Sequence, residues 1–223
     1  EAVCLIPTDS DPGRFQDKMG EKNGYRNKRE AEIVMQILKE AEQYLDLEAY
    51  RRNLAAEILN RAGAEPDAWP EQKLEAAKEE ALRAKPSFGV ITPYAQQKKL
   101  IREYLKDDLP ALRNLEMSAD EDVGSVDSYQ GSERDVIIIS FVRSPRPIPC
   151  RRCNGKGVQN GVKCVECKGL GWQGEDFSFV RDLRRLNVAF SRAKRMLILI
   201  GDFRALVAPN HRGSMEGIRV LDA

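Results

Sequence analysis

Four of the five cysteines stand as C-x2-C-x10-C-x2-C: Cys150, Cys153, Cys164 and Cys167. Thiols two residues apart on a tight knuckle ligate a metal as a pair, and two pairs fill the four tetrahedral positions that zinc prefers. A Gly-x-Gly tail follows each pair, and glycine there lets the backbone turn its N–H groups toward sulfur. Two disulfides would use the same four residues in an oxidising compartment.

A second group of residues is suited to phosphate. Arg184, Arg185, Asn187, Ser191 and Arg192 crowd one stretch with helical periodicity. Two helical turns separate Arg185 from Arg192, which puts them on one face of a helix. Guanidinium offers phosphate a fixed fork of donors and never loses its charge, although any one of these arginines taken singly reads better as a surface ion pair. Three apolar runs also end in polar clusters: Thr92-Pro93-Tyr94, Ser125 to Glu133, and Gly201-Asp202. In open parallel sheets, ligands bind outside the carboxyl ends of the strands. Between Arg143 and Val165 lie Arg143, Arg146, Arg151, Arg152, Lys156 and Lys163 with no acidic residue, which is either a phosphate-facing surface or a solvated basic loop. Gly169, Gly171 and Gly174 spell G-x-G-x-x-G. They follow a cysteine knuckle instead of opening a helix after a strand, so they are not a dinucleotide site.

The elements that must position these residues alternate along the chain. Residues 2–6 (AVCLI) read as a buried strand, with Cys4 an inert core thiol. Residues 9–24 read as a surface loop. Ala31, Val34, Ile37, Leu38, Ala41 and Leu45 fall at helical spacing in an amphipathic helix over 27–45. Two more helices follow: 47–62, stopped by Gly63, and 70–84, bounded by Pro70 and Pro86. The second has few apolar residues and reads as packed on one side only. Strands are expected at 88–92, 124–127, 136–141 and 196–201, with helices at 95–106 and 182–194, and the cysteine module occupies 145–175. Strands that alternate with helices and are apolar on both faces predict an α/β fold with a mainly parallel sheet covered by helices.

At 223 residues, 42% hydrophobic and 32% charged, the chain has the composition of a soluble globular protein of one large domain or two small ones. No apolar run approaches the roughly 20 residues that span a bilayer, and no signal peptide precedes the first strand. The net charge of +1 is silent about partners. The chain opens on Glu1 and reads as a fragment.

GVITPYAQQ, SVDSYQGSERDVIIISFVRS and DLRRLNVAFSRAKRMLILIGD, in this order, strongly resemble motifs IV, V and VI of superfamily 1 helicases, nearest the Upf-type and senataxin-like branch. NKREAEIVMQIL is similar to the helix that opens the second motor domain there. The resemblance covers 1–45, 86–144 and 176–208; residues 46–85 and 145–175 look like a helical and a Cys4 insertion. It implies a second RecA-like domain of a nucleic-acid-dependent ATPase, with ATP and Mg2+ held in a cleft shared with a first, upstream RecA-like domain. By position, Arg192 matches the arginine finger, Glu133 a ribose contact, and Gly131 the place where backbone approaches it closely. Gln130 matches a residue coupling the phosphate site to the strand, and Arg185 one that is either structural or at the nucleotide edge. Thr92, Pro93, Tyr94 and Ser125 match positions holding single-stranded DNA or RNA, with Tyr94 equally readable as core; Gln97 matches the motif IV glutamine.

No G-x-x-x-x-G-K-[ST] and no Walker B strand end occur in the sequence, so the implied activity is half of a motor, inactive alone. A competing reading is a motor-derived module that binds nucleic acid or protein through its zinc knob without hydrolysing ATP. The retained Gln130, Glu133 and Arg192 speak against it. The knuckles also resemble the C-x-x-C-x-G-x-G repeat of DnaJ-type zinc modules, but no His-Pro-Asp accompanies them, and a chaperone role rests on the knuckles alone. The helicase resemblance implies a cytoplasmic setting, or a nuclear one in a eukaryotic cell, which disfavours disulfides. The Cys4 module then either staples a loop too small for its own core or touches nucleic acid or a partner, with Trp172 and the basic residues in support.

Overall fold

The computed structural model describes residues 2–13, 16–18, 24–129, 131–144, 148–167, 169, 172–173 and 182–203. The N-terminal stretch gives β1 (Ala2–Pro7), the short pair β2 (Asp17–Lys18) and β3 (Tyr25–Arg26), and α1 (Lys28–Tyr44). Next come α2 (Leu47–Ala64), α3 (Glu71–Arg83), β4 (Phe88–Ile91), α4 (Ala95–Asp108), β5 (Val123–Gly124) and β6 (Arg134–Ser140). The cysteine region contributes β7 (Ile148–Pro149), β8 (Val158–Gln159), β9 (Val162–Lys163) and β10 (Trp172–Gln173). The chain ends in α5 (Leu183–Phe190) and β11 (Ala193–Gly201).

Five strands form one parallel sheet in the order β1-β11-β6-β4-β5. Its interior strands are continuous apolar runs because both faces are covered. On one face Val90, Ile138, Ile198 and Ile200 pack with Ala31, Val34 and Leu38 of α1 and Leu100, Ile101 and Leu105 of α4. On the other, Ile91, Ile137, Ile139, Leu197 and Leu199 pack with Ala189 of α5 and with Tyr129. This is the expected α/β, RecA-like class. Gly89 shows how close the second face is. A Cβ there would collide with the Tyr129 hydroxyl, so β4 needs glycine opposite that ring.

Four expectations need correction. Cys4 is exposed, because β1 is an edge strand paired only with β11, and Val3 and Leu5 beside it are exposed as well. Gly63 does not stop its helix: α2 runs to Ala64, and Glu65 caps it. The loop after Thr8 contains the β2–β3 pair. The last helix ends at Phe190 with Ser191 as C-cap, because β11 already pairs at Ala193, opposite Arg134. Arg192 therefore follows α5, and the shared helical face with Arg185 does not exist.

The α2–α3 pair stands apart from the sheet. Among the residues of the two helices only Ala81 is buried, as the polar sequence anticipates. The start of β11 is irregular: Ala193 pairs with Arg134 and Met196 with Val136. Lys194 and Arg195 thus oppose the single residue Asp135, a β-bulge.

Candidate functional site

Parallel register sorts the candidate residues to two opposite edges of the sheet. Glu133 immediately precedes β6 and Arg192 immediately precedes β11, so both lie at the amino edge. The amide of Arg134 donates to the Arg192 carbonyl at 3.0 Å, which makes Glu133 and Arg192 neighbours. Glu133 is exposed. The Arg192 guanidinium lies back along the end of α5, donating to the Val188 carbonyl at 3.1 Å and to Ser191 Oγ at 2.9 Å. There it satisfies helix-end carbonyls that lack intrahelical donors. Gly131 takes φ +81, with open space where a Cβ would stand. Its glycine is required by the left-handed turn; no close neighbour demands it. Gln130 lies outside the described residues.

Thr92, Pro93 and Tyr94 follow β4 and Ser125 follows β5, so these four lie at the carboxyl edge. The Thr92 side chain is 1% exposed, and its Oγ1 has no hydrogen-bond partner. Beside it begins α4, whose N-cap residue Tyr94 supplies no side-chain cap. Tyr94 is half-buried and meets Tyr25 edge-on at 5.5 Å, and Tyr25 in turn lies under the Arg143 guanidinium at 4.0 Å. Tyr94 thus belongs to an aromatic–cation stack at this edge, outside both sheet cores. Arg185, at the start of α5, lines a small apolar cavity with Pro93, Val126, Phe141 and Leu186. That places it at the carboxyl edge, one helix length away from Arg192. After β5 the Tyr129 hydroxyl donates to the Asp122 carbonyl at 2.5 Å and anchors that ring beside β5.

A buried polar hub underlies the carboxyl edge. Asn27 caps α1, its side chain accepting from the Glu30 amide, but Glu30 meets only the Asn27 side-chain amide, at 3.3 Å, and leaves the backbone half of a capping box unmade. Its carboxyl turns into the core and accepts from Ser140 Oγ at 2.7 Å and the Val142 amide at 2.8 Å. Gln97 supplies what Glu30 does not: its Oε1 accepts from the Asn27 amide at 2.7 Å, and its Nε2 donates to the Asn27 carbonyl and to Ser140 Oγ. Burial pushes the Glu30 carboxyl up to about 8 against the pull of Ser140 and Val142, with Asp202 adding to the rise. Val142 takes φ +72, costly for a β-branched residue, and the hub holds both its amide and its carbonyl.

The four cysteines form a separate buried cluster. All are free thiols, and their sulfurs lie within 4.8 Å of one another. Cys150–Cys164 and Cys153–Cys167 approach to 3.9 and 3.6 Å. Sulfurs at the corners of a tetrahedron with about 2.3 Å metal–sulfur bonds sit about 3.8 Å apart, so the donor set and its spacing fit a metal. The Gly157 amide donates to Cys153 Sγ at 3.3 Å, as a knuckle should. Arg151, Arg152, Lys156 and Lys163 around it are exposed, whereas Arg143 is buried. The side chain of Trp172 and residues Gly171 and Gly174 lie outside the described residues.

A protein-family model described as an AAA domain (AAA_12) matches residues 1–204. The chain belongs to this family. Several proteins similar to it carry helicase in their names. It is 39% identical over 199 residues to the DNA replication ATP-dependent helicase/nuclease DNA2 of Xenopus laevis, covering 89% of this chain and 12% of that protein. It is 36% identical over 124 residues to the putative helicase MOV-10 of Gallus gallus, covering 56% and 11%. It is 35% identical over 119 residues to the regulator of nonsense transcripts 1 of Dictyostelium discoideum, covering 53% and 7%. The chain thus spans roughly a tenth of the length of these relatives. The AAA_12 assignment and these names agree with the superfamily 1 helicase resemblance of the three motifs. Among the described residues of this AAA domain no helix is long and apolar enough to cross a membrane.

Asn27, Glu30, Asp135 and Arg195 were not among the candidates from sequence, and Arg143, expected in a basic surface or loop, is buried instead. Glu30 had a visible signal, since it lies one helical turn before Val34 on the apolar stripe of α1 and is fully buried. Asp135 opens the apolar run of β6, and a carboxylate there needs a partner that local sequence does not reveal.

Proposed function

We propose that this AAA domain is the second, C-terminal motor half of an ATP-dependent DNA or RNA helicase, completed by an upstream RecA-like domain that brings the phosphate loop. The observation that carries this reading is the juxtaposition of Glu133 and Arg192 at adjacent strand starts. ATP with Mg2+ is the implied substrate, and the charge of the transferred phosphoryl group spreads onto its oxygens in the transition state. Arg192, released from Val188 and Ser191, extends a permanent cation toward that charge across the cleft. The exposed Glu133 carboxylate accepts from ribose hydroxyls, and Gln130 couples this edge to β6.

At the opposite edge the unpartnered Thr92 hydroxyl donates to a backbone phosphate of a single strand, joined by the free amides at the start of α4. Pro93, Tyr94 and Ser125 complete that track, with Arg185 beside them as a support for its floor. Cys150, Cys153, Cys164 and Cys167 hold one zinc ion, which gives residues 145–175 the core that so short a segment otherwise lacks. Residues 46–85 form a helical insertion. The work of such a motor lies in the cytoplasm or nucleus.

The test uses the full-length protein. Arg192→Ala should lower strand-stimulated ATP turnover by about a hundredfold or more, with single-strand affinity unchanged. Unaffected turnover would remove Arg192 from the nucleotide site. A wild-type protein that binds single strands but hydrolyses no ATP would favour the binding-module reading instead.

A further inference from the structure

An ion-pair network joins α2 to the sheet, and it grips β11 just beyond Arg192. Arg195 is the third residue of β11. Its Nη1 and Nη2 form a fork on Glu57 of α2, at 2.7 and 2.8 Å. Its Nε donates to Asp135 Oδ1 at 3.1 Å, and its guanidinium lies 5.4 Å from the centre of the Tyr50 ring. Asp135 is held from three further sides: by the Ser87 amide at 2.8 Å, the Ser87 hydroxyl at 2.7 Å, and the Tyr50 hydroxyl at 3.2 Å. Burial alone would raise the Asp135 carboxyl, but these donors win and hold it below its ordinary range. Two residues of α2, Tyr50 and Glu57, therefore close on one carboxylate and one guanidinium of the sheet.

The place they close on is the bulge. Lys194 and Arg195 oppose Asp135 alone, so the ladder that would fix the direction of the chain is broken there. Bulges re-aim the residues beside them. Arg192 lies just upstream of the bulge, its carbonyl tied to β6 by the 3.0 Å bond from the Arg134 amide. With ladder bonds missing, side chains must define the bulge, and a forked guanidinium–carboxylate pair is the geometrically strictest contact available. A groove of about 870 Å³ separates α2 from this edge, and Glu57, Glu133, Asp135, Ser191 and Arg195 are among its lining residues. It leaves the network open to solvent on the side of Glu133.

We propose that Glu57 and Arg195 are positioning residues for Arg192: the α2–α3 pair, through Glu57–Arg195–Asp135, sets the bulge that aims the trans-acting arginine, and thereby governs turnover from outside the cleft. This rests on the assignment of Arg192 to the nucleotide site. It gives the helical pair a function that packing does not require, since α2 contributes no buried residue of its own.

The experiment measures, on full-length protein, the affinity for ADP alone and for ADP with aluminium fluoride, which stands in for the phosphoryl group in flight. Glu57→Gln should weaken the ADP–aluminium fluoride complex about five- to tenfold while leaving ADP affinity within about twofold, and kcat should fall in proportion with KM for ATP steady. Glu57→Asp should recover part of both. Tyr50→Phe, which removes one hydroxyl, should give the same pattern more weakly and serves if Glu57→Gln melts early. Equal loss for both ligands, or none for either, overturns the proposal. Arg192→Ala run in parallel separates the two readings. If it too fails to discriminate between the ligands, the assignment of Arg192 falls; if it discriminates and Glu57→Gln does not, only the positioning role falls.

Discussion

Glu30 near the start of α1 and Ser140 at the end of β6 meet at 2.7 Å, although 110 residues separate them in sequence. Their contact joins the first helix of the domain to the strand that leads toward Arg143, and the Val142 amide completes it. Because Glu30 is fully buried and pushed up to about 8, the pH dependence has a definite sign. A carboxyl raised above its unfolded value contributes stability that is complete below the ordinary carboxyl range and is lost as pH rises through its folded value. Melting temperature of the wild-type protein should fall from about pH 5 to about pH 8 and level off above that, and Glu30→Gln should flatten that slope. An unchanged slope in the variant would show that Glu30 does not titrate there.

Thr92 carries a hydroxyl that the folded protein leaves unpaired, at a cost of about 1–3 kcal/mol. Thr92→Val keeps the shape and removes that cost. Its melting temperature should rise by about 2–4 °C for each kcal/mol recovered. Binding of a labelled single-stranded oligonucleotide should weaken about three- to tenfold, by the loss of one phosphate contact. Stabilisation with unchanged affinity would mean that no strand reaches Thr92.

Gly89 and Tyr129 form a steric pair across the second face of the sheet. Gly89→Ala should destabilise by about 1–3 kcal/mol through overpacking. Tyr129→Phe should cost about 1 kcal/mol for the bond to Asp122. Combining the two should cost less than their sum, because the phenylalanine removes the oxygen that the new methyl meets. Strict additivity in denaturant melts would refute the contact.

The four cysteines form their own buried cluster, sharing no residue with the two sheet cores. Purified protein should hold about one equivalent of zinc. Chelation or Cys153→Ser should release it and open amide exchange across residues 150–169. Melting of the α/β core should shift little. A metal-free protein with the knuckles still protected from exchange would rule the site out.

The sheet was legible because β4, β6 and β11 carry short continuous apolar runs, Phe88–Ile91, Val136–Ile139 and Met196–Ile200, and burial on both faces demands that pattern. The same rule misread β1: AVCLI looks equally buried, but only pairing reveals that it sits at the edge. The end of α5 was hidden for a related reason. Ser191 and Arg192 extend a helical pattern, and the pairing of Ala193 with Arg134 pulls the chain straight. Half of the two-edge arrangement was readable, since Glu133 precedes a strand; Ser125 fell inside the strand expected over 124–127, and only the end of β5 at Gly124 puts it past the carboxyl edge. Arg195 and Glu57 could not, because 138 residues separate their positions. Arg185 illustrates the limit of spacing alone, which paired it with Arg192 when α5 in fact holds it beside Pro93.

The length of β6 has a mechanical consequence. Seven residues at about 3.3 Å each span roughly 23 Å, and that rod runs from Glu133 to the hub below Arg143. A parallel sheet clamped by helices on both faces does not bend over such a distance. A displacement at one end is therefore carried toward the other more as translation or tilt of the strand than as local bending. The strained Val142 sits at the far tip of the rod, where a small tilt would be felt as a change of backbone angle instead of a change of position.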